Sequence, residues 1–153
     1  MKKYYFIDFD SIKKLNVVKE DFDCKSYIQL FYIDSSHPKN IDLDSLQVFN
    51  QYAKKVEFIK VPDQKHLMGK YVSGALGLLL GQAKNNEHEY IIVSPKVSYD
   101  PYIQYLNDLG YHVSRKDNFH VEEKKKDFKS LELSNITEET IRAREEHTDQ
   151  ICQ

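Results

Sequence analysis

The stretch Tyr4-Tyr5-Phe6-Ile7-Asp8-Phe9-Asp10 decides the fold, because four large apolar residues run directly into two aspartates. A run without a polar position is typical of a parallel strand that is covered by helices on both faces. Further strand-like segments follow along the chain at 27–33, 56–61, 90–93 and 111–113.

Segments with helical periodicity lie between these strands, at 11–19, 42–52, 66–82 and 101–109. Asp42 or Asp44 is suited to cap the second of them, and Asp100 the fourth. Strand–helix alternation with short connections predicts right-handed βαβ units. We therefore predict an α/β fold, a three-layer sandwich with a central, mainly parallel sheet of about five strands.

The chain of 153 residues fits one domain, with an ordinary apolar fraction of 41% and charged fraction of 30%. The composition changes after the fifth strand, where residues 122–129 are charged and poor in apolar side chains. We expect the α/β domain to cover 1–120. A charged connection and a C-terminal helix beginning near Asn135 or Thr137 are expected over 121–153.

Composition also bears on compartment and partners. The formal net charge of −2 gives no overall attraction to nucleic acid, so such a contact needs a local basic patch. The longest apolar run, 75–80, is too short to cross a bilayer, and Met1-Lys2-Lys3-Tyr4 does not open a signal peptide. Cys24 and Cys152 match no zinc-ligand or disulfide pattern. We expect a cytoplasmic protein without membrane contact.

Acidic residues follow the predicted strands. Four of them are Asp8, Asp10, Asp34 and Asp100. Open parallel sheets bind ligands beyond the carboxyl ends of their strands, and carboxylates gathered there suit Mg²⁺ or Mn²⁺. Each acid also has a structural interpretation, Asp34 as a turn residue and Asp10 or Asp100 as a helix cap. Asp8 is the strongest site candidate because it follows four apolar residues, and a buried carboxylate needs a partner.

Basic and hydroxyl residues are expected near the same edge. The candidate substrate-binding residues are Ser94, Lys96, Lys70 and His66. Such side chains contact phosphates, while Tyr71 or Tyr99 can stack on a base. The alternative is a solvated basic face above aromatic core residues.

The stretch Ile7-Asp8-Phe9-Asp10-Ser11-Ile12 resembles the first-strand signature of PIN-like nuclease domains. Residues 71–81 and 90–100 are similar to the second half of bacterial PIN-like proteins, in which an apolar strand leads into Ser-Lys-Asp-Lys-Gly-Tyr-Asp. The resemblance covers roughly residues 4–115. It implies a magnesium-dependent ribonuclease fold in which Asp8, Asp10 and Asp100 are catalytic. Asp8, Asp10 and Asp34 are then the expected ligands of Mg²⁺ or Mn²⁺.

Two positions depart from the family pattern. Gly69 stands where the family usually has an acid, and Lys96 stands where it has the Asp of Ser-Lys-Asp. A Lys96 ammonium set against Asp8 and Asp10 would occupy the place of a metal ion. If Lys96 points to solvent instead, that place stays open to Mg²⁺ or Mn²⁺.

Two functions remain. The first is a catalytically weak or inactive PIN-like module that binds RNA, regulates a complex or contacts a protein partner. The second is an active Mg²⁺- or Mn²⁺-dependent ribonuclease that cleaves single-stranded RNA. The Asp8-Phe9-Asp10 stretch is also similar to the opening of haloacid-dehalogenase-like phosphatases, but the later acidic pair of that family is missing.

Overall fold

Five parallel strands form the central sheet in the computed structural model, which describes residues 1–34, 40–83 and 86–120. The strands are β1 (Lys3–Asp8), β3 (Ser26–Ile33), β5 (Val56–Val61), β6 (Glu89–Val93) and β7 (His112–Lys116). Two short strands, β2 (Lys14–Leu15) and β4 (Asn40–Ile41), pair separately. The order across the main sheet is β5-β3-β1-β6-β7.

The strand order reverses between β1 and β6. The chain builds outward from β1 through β3 to β5, then crosses to the other side of β1 for β6 and β7. In an open parallel sheet, a crevice forms at this reversal, beyond the carboxyl ends of the two central strands. Asp8 ends β1, and Ser94 directly follows β6.

Helices cover both faces of the sheet. They are α1 (Leu43–Gln51), α2 (Leu67–Gln82) and α3 (Asp100–Asp108). One face packs against α2 and α3, and the other packs against α1 and the segment between β1 and β3. Phe6 and Ile7, adjacent in β1, are fully buried in the two opposite layers, as the period-two alternation of a strand requires. The predicted three-layer α/β fold is confirmed.

The predicted caps have different outcomes. Asp42 caps α1, because its carboxylate accepts a hydrogen bond from the Ser45 N–H at 2.7 Å. Asp100 is the first residue of α3 rather than its cap, which is Tyr99. The Asp100 carboxylate is instead paired with Arg115, which removes it from capping.

The predicted helix at 11–19 is wrong. The chain forms 3₁₀ turns at Phe9–Ser11 and Lys19–Asp21, with β2 between them. Leu15 and Val17, two residues apart, are both buried, which is the spacing of extended chain rather than of a helix. Burial of alternate residues against the sheet therefore overrode the weak helical pattern.

The compact unit that contains the sheet spans Met1–Val121. The expected C-terminal helix lies outside the described residues. Within 1–34, 40–83 and 86–120, no helix has the length and apolar character needed to cross a membrane.

Two leucines on α2 test the assignment of its buried face. Leu76 is fully buried and Leu78 is 70% exposed. Leu76→Ala should lower the free energy of unfolding by about 2–5 kcal/mol, because it removes core contacts and leaves a cavity. Leu78→Ala, the matched control, should change it by less than about 0.5 kcal/mol. Urea unfolding followed by circular dichroism measures both, and equal effects would contradict the described packing.

Candidate functional site

The centre of the site is the carboxylate of Asp8, which is completely buried at the reversal of strand order. Its Oδ2 accepts hydrogen bonds from three hydroxyl groups: Ser11 at 2.7 Å, Ser94 at 3.1 Å and Tyr99 at 3.1 Å. Its Oδ1 accepts the backbone N–H of Ser11 at 3.3 Å. Four donors therefore replace the water that this carboxylate loses on burial. We call Asp8, Ser11, Ser94 and Tyr99 the hydroxyl cluster.

Local structure brings these donors together. The 3₁₀ turn after β1 folds Ser11 back onto the Asp8 carboxylate. Ile7 is in register with Val93, so the next residues, Asp8 and Ser94, leave the sheet side by side. Tyr99 closes the cluster from a second 3₁₀ turn, Val97–Tyr99, which leads into α3.

Tyr99 acts in this cluster as a hydrogen-bond donor. Burial, together with the neighbouring Asp8 carboxylate, raises the pKa of its phenol well above the usual range. The phenol therefore keeps its proton, and the hydrogen bond to Asp8, at any physiological pH. The sequence offered Tyr99 only as a stacking residue, because its distance of 91 residues from Asp8 gave no sign of this contact.

Arg115 links the carboxylate of Asp100 to the backbone of Ser94. Its Nε donates to Asp100 Oδ1 at 2.7 Å, and its Nη1 donates to the backbone carbonyl of Ser94 at 3.0 Å. It also forms an ion pair with Asp117. The Arg115 side chain is largely shielded from solvent, and it fixes the backbone next to the hydroxyl cluster.

The aspartates predicted to bind metal or act in catalysis do not form one cluster among the described residues. Asp34 is exposed and pairs with Lys60 at 2.8 Å, and this hydrogen bond lowers the pKa of Asp34. Asp100 is held by Arg115. In the part of the chain that the structure describes, no three His, Cys, Asp or Glu side chains lie together as metal ligands. Neither the predicted metal set (Asp8, Asp10, Asp34) nor the predicted catalytic set (Asp8, Asp10, Asp100) is therefore assembled there.

This donor set does not fit Mg²⁺ or Mn²⁺. Such ions need several oxygen ligands in a defined geometry. Three hydroxyl groups already take up the lone pairs of Asp8 Oδ2. A metal ion would have to displace them and find further carboxylates that the described residues do not supply.

The expected contact of Lys96 with the aspartates is not formed. Lys96 is exposed, and within the described ranges its ammonium pairs with neither Asp8 nor Asp10. Its backbone N–H instead donates to Ser94 Oγ at 3.2 Å, which turns the chain at Pro95 and directs the side chain outward. Hydroxyl groups, not a cation, satisfy Asp8.

A cleft of about 300 Å³ lies beside the hydroxyl cluster, between the start of α2 and the start of α3. Its lining residues are His66, Gly69, Lys70, Ser73, Ser98, Tyr99 and Tyr102. Two of the predicted substrate-binding residues, His66 and Lys70, therefore lie in one cleft. Ser94 is buried and Lys96 is exposed, and neither lines this cleft. Tyr99 belongs to both the cleft and the cluster.

His66 has a left-handed backbone conformation, with φ of +64°. This conformation is uncommon for a residue with a Cβ and is found most often at functional sites and tight turns. It places His66 at the lip of the cleft, directly before α2.

No family model, curated protein or solved structure matches this chain. The class of protein is therefore defined by its own features. These are a five-stranded parallel α/β sheet, a buried carboxylate held by hydroxyl groups at the strand-order reversal, and a cleft with basic and aromatic residues next to it.

The raised pKa of Tyr99 predicts a pH-dependent contribution to stability. Tyr99→Phe should lower the free energy of unfolding by about 1–3 kcal/mol near neutral pH, because it removes a hydrogen bond to a buried carboxylate. Above about pH 10 the tyrosine ionises in the unfolded chain but not in the folded one, so wild type loses stability that the variant keeps. Above that pH, the difference in free energy of unfolding between wild type and Tyr99→Phe should shrink by up to about 1.4 kcal/mol per pH unit.

Denaturant unfolding between about pH 8 and about pH 11.5 checks this expectation. Tyr105→Phe is the control, because Tyr105 is 59% exposed. Its effect should be small at every pH. A Tyr99→Phe difference that stays constant over the range would contradict the described environment of the phenol.

Proposed function

We propose that this protein is a PIN-like module that binds single-stranded RNA in the cleft beside Tyr99 and does not cleave it by a metal-dependent mechanism. The observation that carries the proposal is the state of the Asp8 carboxylate. It is enclosed by three hydroxyl groups, while Asp34 is paired with Lys60 and Asp100 with Arg115. A cleft lies beside Tyr99, but an acidic metal site is not assembled among the described residues.

The position of the cleft supports a ligand-binding role. It opens at the carboxyl ends of the strands, beside the reversal between β1 and β6. Ligands of open parallel sheets are bound at this position, because the chain diverges there to opposite faces. The volume of about 300 Å³ is at the lower end of ligand pockets and suits one nucleotide at a time.

The lining of the cleft supports RNA as the ligand. Lys70 and His66 provide cationic or hydrogen-bonding groups for phosphate, and Ser98 provides a hydroxyl. Tyr102 provides an aromatic surface, and its hydroxyl donates to the Ser73 carbonyl at 3.3 Å, which restrains the ring. Proteins recognise unpaired RNA with this combination of backbone cations and aromatic platforms. A chain of net charge −2 adds no general attraction, so the local contacts must supply the affinity.

Lys70 tests the binding proposal. Lys70→Glu should weaken binding of a short single-stranded RNA at least about fivefold, because it removes a charge-assisted contact with phosphate. The slope of log K against log salt should fall by about 0.7, the contribution of one phosphate on a single strand. Fluorescence anisotropy over a salt series measures both quantities.

Lys19→Glu makes the same change of charge at an exposed position outside the cleft. It should leave the salt slope unchanged. If Lys19→Glu and Lys70→Glu changed the RNA affinity and the salt slope equally, the binding would depend only on the overall charge. That result would contradict a site in the cleft.

A cleavage assay tests the second part of the proposal. Wild type incubated with end-labelled single-stranded RNA and Mn²⁺ should release no more product than Asp8→Asn does, because Asp8 is committed to hydroxyl donors. Cleavage by wild type that disappears in Asp8→Asn would overturn this expectation and favour the active ribonuclease. Circular dichroism of Asp8→Asn must show a folded chain for the comparison to stand.

A further inference from the structure

The two edges of the main sheet differ in how their backbone groups are covered. At the β7 edge, the side-chain amide of Asn107 takes the place of a neighbouring strand. Its Oδ1 accepts the N–H of Val113 at 2.9 Å, and its Nδ2 donates to the Val113 carbonyl at 2.9 Å. A strand whose outward backbone groups are already paired is poorly suited to accept another strand.

The β5 edge has no such cover among the described residues. β5 is the last strand in the order across the sheet, and β3 is its strand neighbour. In the same part of the chain, no group outside the sheet is hydrogen-bonded to the backbone of 57–61. An edge of this kind presents a row of unpaired N–H and C=O groups, which is a template for a further strand.

Apolar side chains are exposed along the β5 edge. Phe58, in the middle of β5, is 56% exposed, and its ring contacts the ring of Phe49 on α1 with 6.5 Å between the centroids. Leu46 lies one turn before Phe49 on the same side of α1 and is 43% exposed. Stable interfaces need about 800 Å² from each partner, more than a strand edge alone provides. The apolar surface of α1 beside Phe58 adds to the area that a partner can cover.

The sequence of β5 suits pairing with a copy of itself. It is Val-Glu-Phe-Ile-Lys-Val, in which four of six residues are β-branched or aromatic and one Glu balances one Lys. Short segments with high β-propensity, low net charge and neither Gly nor Pro associate with identical segments. The composition of β5 therefore favours a strand of the same kind as its partner.

Charges at the two ends of β5 specify the orientation of that partner. Lys54 lies two residues before the strand and Asp63 two residues after it, and both are exposed. Neither side chain forms an ion pair with another described residue. When two copies of β5 pair antiparallel about a two-fold axis, Lys54 of each copy comes close to Asp63 of the other. A parallel arrangement would bring like charges together instead.

We propose that the β5 edge binds a second copy of this chain, so that the two main sheets join into one continuous sheet. The two β5 strands are antiparallel across a two-fold axis, and Phe58 and Leu46 of both copies are buried there. Because the same edge is used by both copies, the contact closes on itself and association ends at a dimer. Asn107 prevents further growth at the β7 edge. No residue of this interface lines the cleft beside Tyr99, so the dimer is independent of the proposed binding of RNA.

Sedimentation velocity locates the interface with two variants. Wild type should change from monomer to dimer between about 1 μM and about 300 μM, the range of a weak to moderate interface. Phe58→Lys should stay monomeric, because it places an ammonium from each copy next to the two-fold axis. Leu78→Lys, a comparable change on α2 at a residue that is 70% exposed, should dimerise as wild type does. A wild-type monomer throughout this range, or a dimer lost in Leu78→Lys and kept in Phe58→Lys, would overturn the proposal.

An exchange of charges tests the orientation and leaves the apolar surface intact. Lys54→Glu and Asp63→Lys should each weaken the dimer about threefold or more, because two ion pairs become two contacts between like charges. The double variant, with both Lys54→Glu and Asp63→Lys, exchanges the signs and should regain the dissociation constant of wild type. In about 1 M salt, which screens exposed charges, the single variants should approach wild type. A double variant that dimerises no better than the single variants would contradict the antiparallel contact.

Discussion

The buried carboxylate of Asp8 is the constraint on which the functional end of this fold depends. A carboxylate without access to water must receive hydrogen bonds from the protein, or folding becomes unfavourable. Here the donors come from the turn after β1, the end of β6 and the turn before α3. One side chain therefore ties the turn after β1 to a segment that lies 86 to 91 residues further along the chain. It also fixes the wall that the cleft shares with Tyr99.

The topology of the sheet explains why the Asp8 carboxylate lies at the carboxyl ends of β1 and β6. After β1 and after β6 the chain leaves for opposite faces of the sheet, and this divergence opens a crevice at the ends of the two strands. Arg115 completes the arrangement from β7 by holding the Ser94 carbonyl and the Asp100 carboxylate. The ends of β1 and β6 therefore carry a hydrogen-bonded cluster of hydroxyl groups around one carboxylate, and not a cluster of carboxylates, within the described residues.

Much of the architecture was readable from the sequence, because apolar runs of strand length are strong local signals. The sequence predicts the five strands of the main sheet and the helices α1 to α3, but not β2 or β4. The burial of Asp8 follows from the four apolar residues before it. The segment at 11–19 was misread, since Leu15 and Val17 are buried by contacts that a local pattern does not contain. The partners of Asp8 were missed for the same reason. A turn of the backbone at Pro95 sends Lys96 outward, and Tyr99 reaches the carboxylate only after the next turn has formed.

The left-handed conformation of His66 restricts the chemistry available at the mouth of the cleft. Residues branched at Cβ are strained in this region of backbone space, while glycine, asparagine, aspartate and histidine enter it most easily. Among these four, only histidine combines an aromatic ring with a hydrogen-bonding nitrogen that gains a positive charge in mild acid. Replacing His66 with any of the other three would therefore keep this backbone conformation while removing the imidazole ring from the mouth of the cleft.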